Sequence, residues 1–277
     1  MITMRRRAGF TMVEMLVTVI VLGIVGGGIV RMLTSQARFY EHQGAGRSAR
    51  SVSRAAVNVL LSEMRMVEVP NGVIAATATS VTLRVPYALG VYCASPAGVA
   101  TVALLPADSA MLAEPGFTGY AWRSRLGSYN YVEAGATLTS PAVGQCVAVG
   151  LTPLPGSVRV GLTPALPVGV DVGTVIMLTR RITYFFAGSA AIPGRVALWR
   201  RIEGTGAREE LAAPFDVTSR FRFYRLNANT AQDAVPALNE IRGFELVLTG
   251  ASERTPRLTG APQRAALTTS VFFRNRL

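Results

Sequence analysis

Apolar and polar positions change their spacing along this chain, and each change marks a different element. Residues 10–30 are almost continuously apolar, and Glu14 is the only charged residue among them. A helix rising about 1.5 Å per residue carries such a run across about 32 Å, close to the thickness of a bilayer's hydrocarbon core. The pattern predicts a membrane-spanning helix over 10–30. Residues 31–69 turn polar but keep a helical period. Arg31, Gln36, Arg38, Glu41, His42 and Gln43 lead to Gly44 and Gly46, where a kink is expected, and 48–67 reads as helix again. There Val52, Ala55, Ala56, Val59, Leu60 and Val67 make an apolar stripe, with Arg50, Arg54 and Glu63 largely off it. Pro70-Asn71-Gly72 is the stop signal.

Beyond residue 70 the period falls to two. Short β-like runs occupy 73–76 and 81–85. Over about 86–173 the composition shifts to Gly, Pro, Ala, Ser and Thr, as in Pro96-Ala97-Gly98, Pro115-Gly116 and Leu154-Pro155-Gly156. This reads as a loop-rich insertion with short strands, such as 145–149 and 157–160. Strands are then expected at 174–187, 195–202, 215–226, 241–249 and 267–276. In the last, Leu267, Thr269, Val271 and Phe273 face one way and Thr268, Ser270, Phe272 and Arg274 the other. Short gaps between strands argue for antiparallel pairing. The predicted class is α+β: a long N-terminal helix packed on a mainly antiparallel sheet domain, 70–277, with no fixed-period repeat.

Composition adds a compartment. Arg5, Arg6 and Arg7 before the span hold the N-terminus in the cytoplasm; Arg31 and Arg38 beyond it weaken that contrast without reversing it. The large domain is therefore expected outside the cytoplasm. The two cysteines, Cys93 and Cys146, are expected there as one disulfide; the alternative is two small buried hydrophobes. A secretory signal peptide is excluded, because its apolar core would be shorter and no small-residue cleavage site follows Val30. The formal charge is +12, and all the basic residues are Arg. Losing Arg5–Arg7 would leave three fewer, +9. Such charge can favour DNA or anionic surfaces; solvated arginines on strand faces are the plainer reading.

Glu14 needs an explanation. A carboxylate within hydrocarbon costs roughly 2.5–3.5 kcal/mol on insertion scales. No Arg or His lies within the next four turns. The nearest cation would be a new amino terminus, made by cutting between Gly9 and Phe10. Glu14 could then pair with its own terminus or with a neighbour's. Gly23 and Gly26-Gly27-Gly28 add a second oddity, since each costs about 1 kcal/mol in a helix interior relative to Ala. They suit either local melting of the span outside a bilayer or a close helix–helix contact.

Gly9-Phe10-Thr11-x-x-Glu14, after an Arg-rich leader (1–9) and before an apolar helix, resembles the cleavage and methylation signature of type IV prepilins. The resemblance implies that prepilin peptidase cuts after Gly9 and methylates the amine of Phe10. It also implies that Glu14 guides docking among other pilin or pseudopilin subunits, after a stage as a single-pass inner-membrane protein with a periplasmic domain. Further on, Ile182-x-Tyr184-Phe185, Leu198-Trp199-Arg200-Arg201, Glu210-Leu211-Ala212, Phe221-x-Phe223-Tyr224 and Val271-Phe272-Phe273-Arg274-Asn275 follow in an order similar to PilW-type minor pilins and the related J-type pseudopilins of type II secretion. That resemblance leaves 86–173 uncovered. It implies a structural subunit with neither catalytic site nor cofactor.

Enzyme readings find little support. His42 is the sole histidine, and no HExxH, CxxC or phosphate-binding Gly loop is present. Glu209 and Glu210 would point to opposite faces of a strand, and Asp108, Asp171 and Asp216 are isolated, leaving no visible metal-binding loop. A reading of another class is a DNA-uptake subunit that contacts nucleic acid through Arg220, Arg222 and Arg225. The exposed-looking set Tyr120, Trp122, Arg123, Arg125, Tyr129 and Tyr131 could likewise stack bases, or could be ordinary strand packing.

Overall fold

The computed structural model describes residues 11–95, 98–113, 116–140, 146, 150, 152–256 and 260–273. One helix, α1 (Met12–Met64), occupies the first quarter of the chain. Thr11 caps it: its extended backbone stops the helix, and its hydroxyl accepts from the Glu14 N–H at 3.2 Å. The helix continues through Gly44 and Gly46, so the expected interruption is absent. Both neighbouring segments are helical, which offsets the glycines' entropic cost. The helix stops at Met64, before Pro70, and Asn71 takes a positive φ of 76° in the turn that follows.

Among the described residues only the second half of α1 touches the rest of the fold. Ala49, Ser53, Ala56, Leu60 and Met64 are its buried residues, spaced by four and three, and Val67 continues the row. The expected stripe is met in part: Ala56, Leu60 and Val67 are buried and Val52 and Val59 half-buried, but Ala55 is exposed and the polar Ser53 lies inside. Ser53 is accepted there because its hydroxyl takes the Gly250 N–H at 3.1 Å.

Among the described residues thirteen strands form one antiparallel sheet. In chain order they are β1 (Val73–Thr77), β2 (Ser80–Ala94), β3 (Ala100–Leu104), β4 (Gly119–Arg123), β5 (Tyr129–Val132), β6 (Thr137–Thr139), β7 (Arg159–Thr163), β8 (Val175–Gly188), β9 (Val196–Ile202), β10 (Arg208–Phe215), β11 (Arg220–Arg225), β12 (Ile241–Ala251) and β13 (Arg264–Phe272). The main path runs β11-β12-β10-β9-β8-β2-β3-β7-β6; β1 adds to β2, β13 to β12, and β4 with β5 to β8.

The long pair β2–β8 is the spine, in register from Ser80↔Phe185 to Val91↔Val175. Its first part joins β1, β9 and the later strands, and with α1 it encloses a core of Leu60, Met64, Leu83, Tyr184, Phe221 and Phe244. Its second part joins β3 and β4 around another core, built on Tyr120, Trp122, Val102, Leu162 and Leu178. The stretch 86–173 is therefore a lobe of the same sheet, its short strands joined by long connections as the composition predicts. Pro86 did not end the strand because it sits where the register shifts between Pro86 and Ala88, a bulge that dispenses with its missing N–H. Two smaller differences follow from packing. The expected strand 215–226 divides at a turn, since Ser219 N–H bonds Asp216 C=O at 3.0 Å. The short strand expected at 157–160 starts later, as β7. The strand expected at 145–149 lies outside the described residues, Cys146 apart.

Candidate functional site

The first half of α1 is the most unusual surface of the molecule. None of its most apolar stretch is covered by the other described residues. Met12, Leu16, Ile20, Leu22, Ile24 and Val30 are all more than half exposed. Monomeric domains rarely leave so large an apolar area in water, so this half requires a bilayer or other helices around it. A Cβ placed on Gly23, Gly26, Gly27 or Gly28 would meet nothing within 4 Å. The chain's own packing therefore does not require these glycines, and they leave a smooth patch on a helix that continues through them.

Glu14 lies in the first helical turn, where the unpaired N–H groups of a helix end favour negative charge. Its backbone is held on both sides, by Thr11 and by the Thr18 hydroxyl, which donates to Glu14 C=O at 2.9 Å. Its side chain is exposed on the free half of the helix. Gly9 and Phe10, the expected cleavage and methylation positions, lie outside the described residues.

The second half of α1 is fastened to the sheet by a half-buried ion pair as well as by apolar packing. Arg200 on β9 reaches Glu63 at 2.6 Å and Glu209 at 2.7 Å. Burial pushes the Glu63 carboxyl above its ordinary value, against the pull of Arg200. In the other lobe Glu133 receives Arg84 at 2.8 Å and Arg181 at 2.6 Å, tying the loop after β5 to the spine strands. Burial raises the Glu133 carboxyl, but the hydrogen bonds and charges of the two arginines outweigh it, and the group titrates below its ordinary value. None of these fasteners stood out in the sequence, because their partners are far apart along the chain.

The remaining candidates fall elsewhere. Arg220 and Arg222 project from β11 opposite the buried Phe221 and Phe223, and Arg225 ends the strand. Each arginine faces a carboxylate: Arg220 meets Asp233 at 3.0 Å, Arg222 meets Glu245, and Arg225 meets Glu240 at 2.6 Å. Tyr120 and Trp122 are buried in the second core, stacked at 6.2 Å between ring centroids, so they are not the exposed pair that the sequence suggests. His42 is exposed on α1. Cys93, at the end of β2, is disulfide-bonded to Cys146.

Residues 4–30 match the family described as the prokaryotic N-terminal methylation motif. No curated protein and no solved structure matches the chain. The motif match covers the leader arginines, the expected cleavage site, Glu14 and the apolar run together, and it supports a type IV pilin-like protein anchored by its N-terminal helix.

Proposed function

We propose that this chain is a minor pilin, a non-enzymatic subunit that prepilin peptidase trims after Gly9 and that then enters a type IV pilus-like filament, at its tip or along it. Before assembly the helix over 10–30 sits in the inner membrane, with the leader arginines in the cytoplasm and the sheet domain in the periplasm. Cleavage creates an ammonium on Phe10, four residues before Glu14. Moving the subunit from lipid into a filament exchanges one apolar environment for another, so the hydrophobic effect alone gives little direction to the step. Charge supplies it. A Glu14 carboxylate left alone among apolar helices costs several kcal/mol, and a neighbour's Phe10 ammonium removes that cost only in the correct axial register.

The observation that carries this reading is a single uncovered apolar half-helix holding one acid, within a matched methylation motif. The test compares the wild type with Glu14→Ala in cells. The variant should insert and be cleaved like the wild type, because the cut lies before it. Its recovery in sheared filaments should fall by about ten-fold or more, the equivalent of losing one productive ion pair. Equal recovery of the two chains would overturn the register role and, with it, the minor-pilin reading.

A further inference from the structure

Among the described residues the strands at the rim of the sheet are guarded, with one exception. β1 and β10 are broken by register shifts, and β10 also carries Pro214 and the charges of Arg208, Glu209 and Glu210. β5 and β6 are four and three residues long. The outer side of β11 is sealed: Phe223 and Gln232 exchange backbone hydrogen bonds of 2.9 and 3.0 Å, and Phe221 N–H bonds Ala78 C=O at 2.8 Å. Short length, bulges, charge, proline and cover are the means by which proteins keep an edge from pairing. β13 has none of them. Its nine residues pair with β12 without a register shift and include no proline. Its one charge, Arg264, stands at the first position and is already held by Asp216 at 2.8 Å.

Hydrogen bonds at both ends of β13 fix which residues face outward. Ser252 N–H bonds Gln263 C=O at 2.8 Å and Phe273 N–H bonds Arg242 C=O at 3.1 Å, which places the odd-numbered residues in the ladder with β12. The N–H and C=O groups of Arg264, Ala266, Thr268, Ser270 and Phe272 therefore point away from β12. Among the described residues no strand pairs with that side and no backbone hydrogen bond reaches it. α1 does not close it. The helix touches the sheet at Gly250 on β12 and leaves Ala265, Leu267 and Thr269 of β13 only half-buried. On the opposite face Arg264, Ala266, Thr268 and Phe272 are exposed. At about 3.4 Å per residue the free row runs for about 27 Å.

We propose that β13 is a docking edge, completed in the assembled filament by an extended strand of a different subunit. Backbone chemistry names the occupant: another extended polypeptide presents alternating N–H and C=O groups at the matching spacing. On the exposed face that strand meets Ala266, Thr268, Ser270 and the ring of Phe272, which is 43% exposed, so β-branched and apolar residues fit opposite them. The proposal rests on the assembly reading above, which brings other subunits alongside α1; β13 lies beside the half of α1 that packs on the sheet. A second copy of this chain is a poor occupant. Its other edges are short, broken or covered, so it offers only its own β13. Pairing two such strands antiparallel takes a two-fold axis normal to the sheet, which turns the copy's α1 end for end. Two spans that enter one membrane from the same side do not stand in that relation.

The test uses the full chain in filament-forming cells, as wild type, as Thr268→Pro and as Thr268→Val, with a photo-crosslinker at Ala266 in a fourth cell line. Thr268 N–H points away from β12, so proline removes an outward donor and leaves the internal ladder whole. The Pro variant should be cleaved and protease-resistant like the wild type but recovered in filaments about ten-fold less, while the Val variant stays within about two-fold. The crosslink should join Ala266 to an extended segment of a different chain. Should the Pro variant lose its protease resistance, the crosslink decides alone. Three results would overturn the proposal: normal incorporation of a folded Pro variant, a crosslink only to a second copy of this chain or to a helix, or no crosslink from Ala266 in assembled filaments. If the wild type itself keeps its leader or stays out of filaments, the assembly reading fails and takes the edge proposal with it. If the wild type assembles and the folded Pro variant assembles equally well, only the edge proposal is lost.

Discussion

Single residues in this protein act mainly through where their charges lie. Glu133 has a side chain only 9% exposed and two arginine partners, so it is the ion-pair residue on which the second lobe depends most. Its carboxyl titrates below the ordinary value of 4.5. The folded state therefore gains stability from this ionised group at every pH above 4.5 and loses it as pH falls through the lower, folded value. Glu210 and Asp216, held low by hydrogen bonds from Ser189 and Thr218, add to the same acid limb. Glu133→Gln should cost about 2–3 kcal/mol at pH 7, because two partly buried arginines lose their charged acceptor. Denaturant titrations at several pH values should also show a shallower stability loss below pH 4.5 than in the wild type. At this scale the sequence was most legible at Glu14, where a lone acid in an apolar run is conspicuous. It was least legible at Ser53 and Glu133, whose burial depends on residues up to 197 positions away.

Among the elements, the strand Arg208–Phe215 was missed and 215–226 was taken as one strand, whereas the long helix and the other strands after residue 174 were legible because their periods are unambiguous. The phase of the helix was not. Val52 and Val59 are more apolar than Ser53, so a pattern based on hydropathy alone turns the helix by part of a turn. What sets the true phase is the close approach of α1 to β12. A Cβ on Gly250 would overlap the Ala49 carbonyl and lie 2.7 Å from the Ser53 hydroxyl. Helix and strand touch through backbone at this point, and only glycine permits it. Gly250→Ala should therefore lift α1 from the sheet and destabilise the domain by about 2–3 kcal/mol, more than Ser53→Ala, which removes one hydrogen bond worth about 1 kcal/mol. Thermal unfolding of the two variants gives the ranking directly; equal losses would contradict so close a contact. The 86–173 stretch reads correctly as short strands among loops, but its attachment was not legible: β3 to β7 are only three to five residues long, and their pairing with the spine is set by partners far along the chain.

At the scale of the whole molecule, one sheet carries two cores, and the disulfide belongs to the second lobe. Cys93 and Cys146 are 53 positions apart, so reduction should weaken the domain by about 4 kcal/mol in the chain-entropy account. Urea unfolding with and without reductant measures this, and no change in midpoint would contradict it. The sheet and the second half of α1 bury their apolar residues against each other, whereas the free half of α1 buries nothing among the described residues and must find its surroundings elsewhere. Under the proposed function those surroundings are the membrane first and the filament afterwards, and the switch between them is the amine released at Phe10. The most direct test is intact-mass and N-terminal peptide mass spectrometry of the protein recovered from cells that make filaments. A chain beginning at N-methylated Phe10, without residues 1–9, is the predicted result. A functional protein that still carries its first nine residues would contradict it.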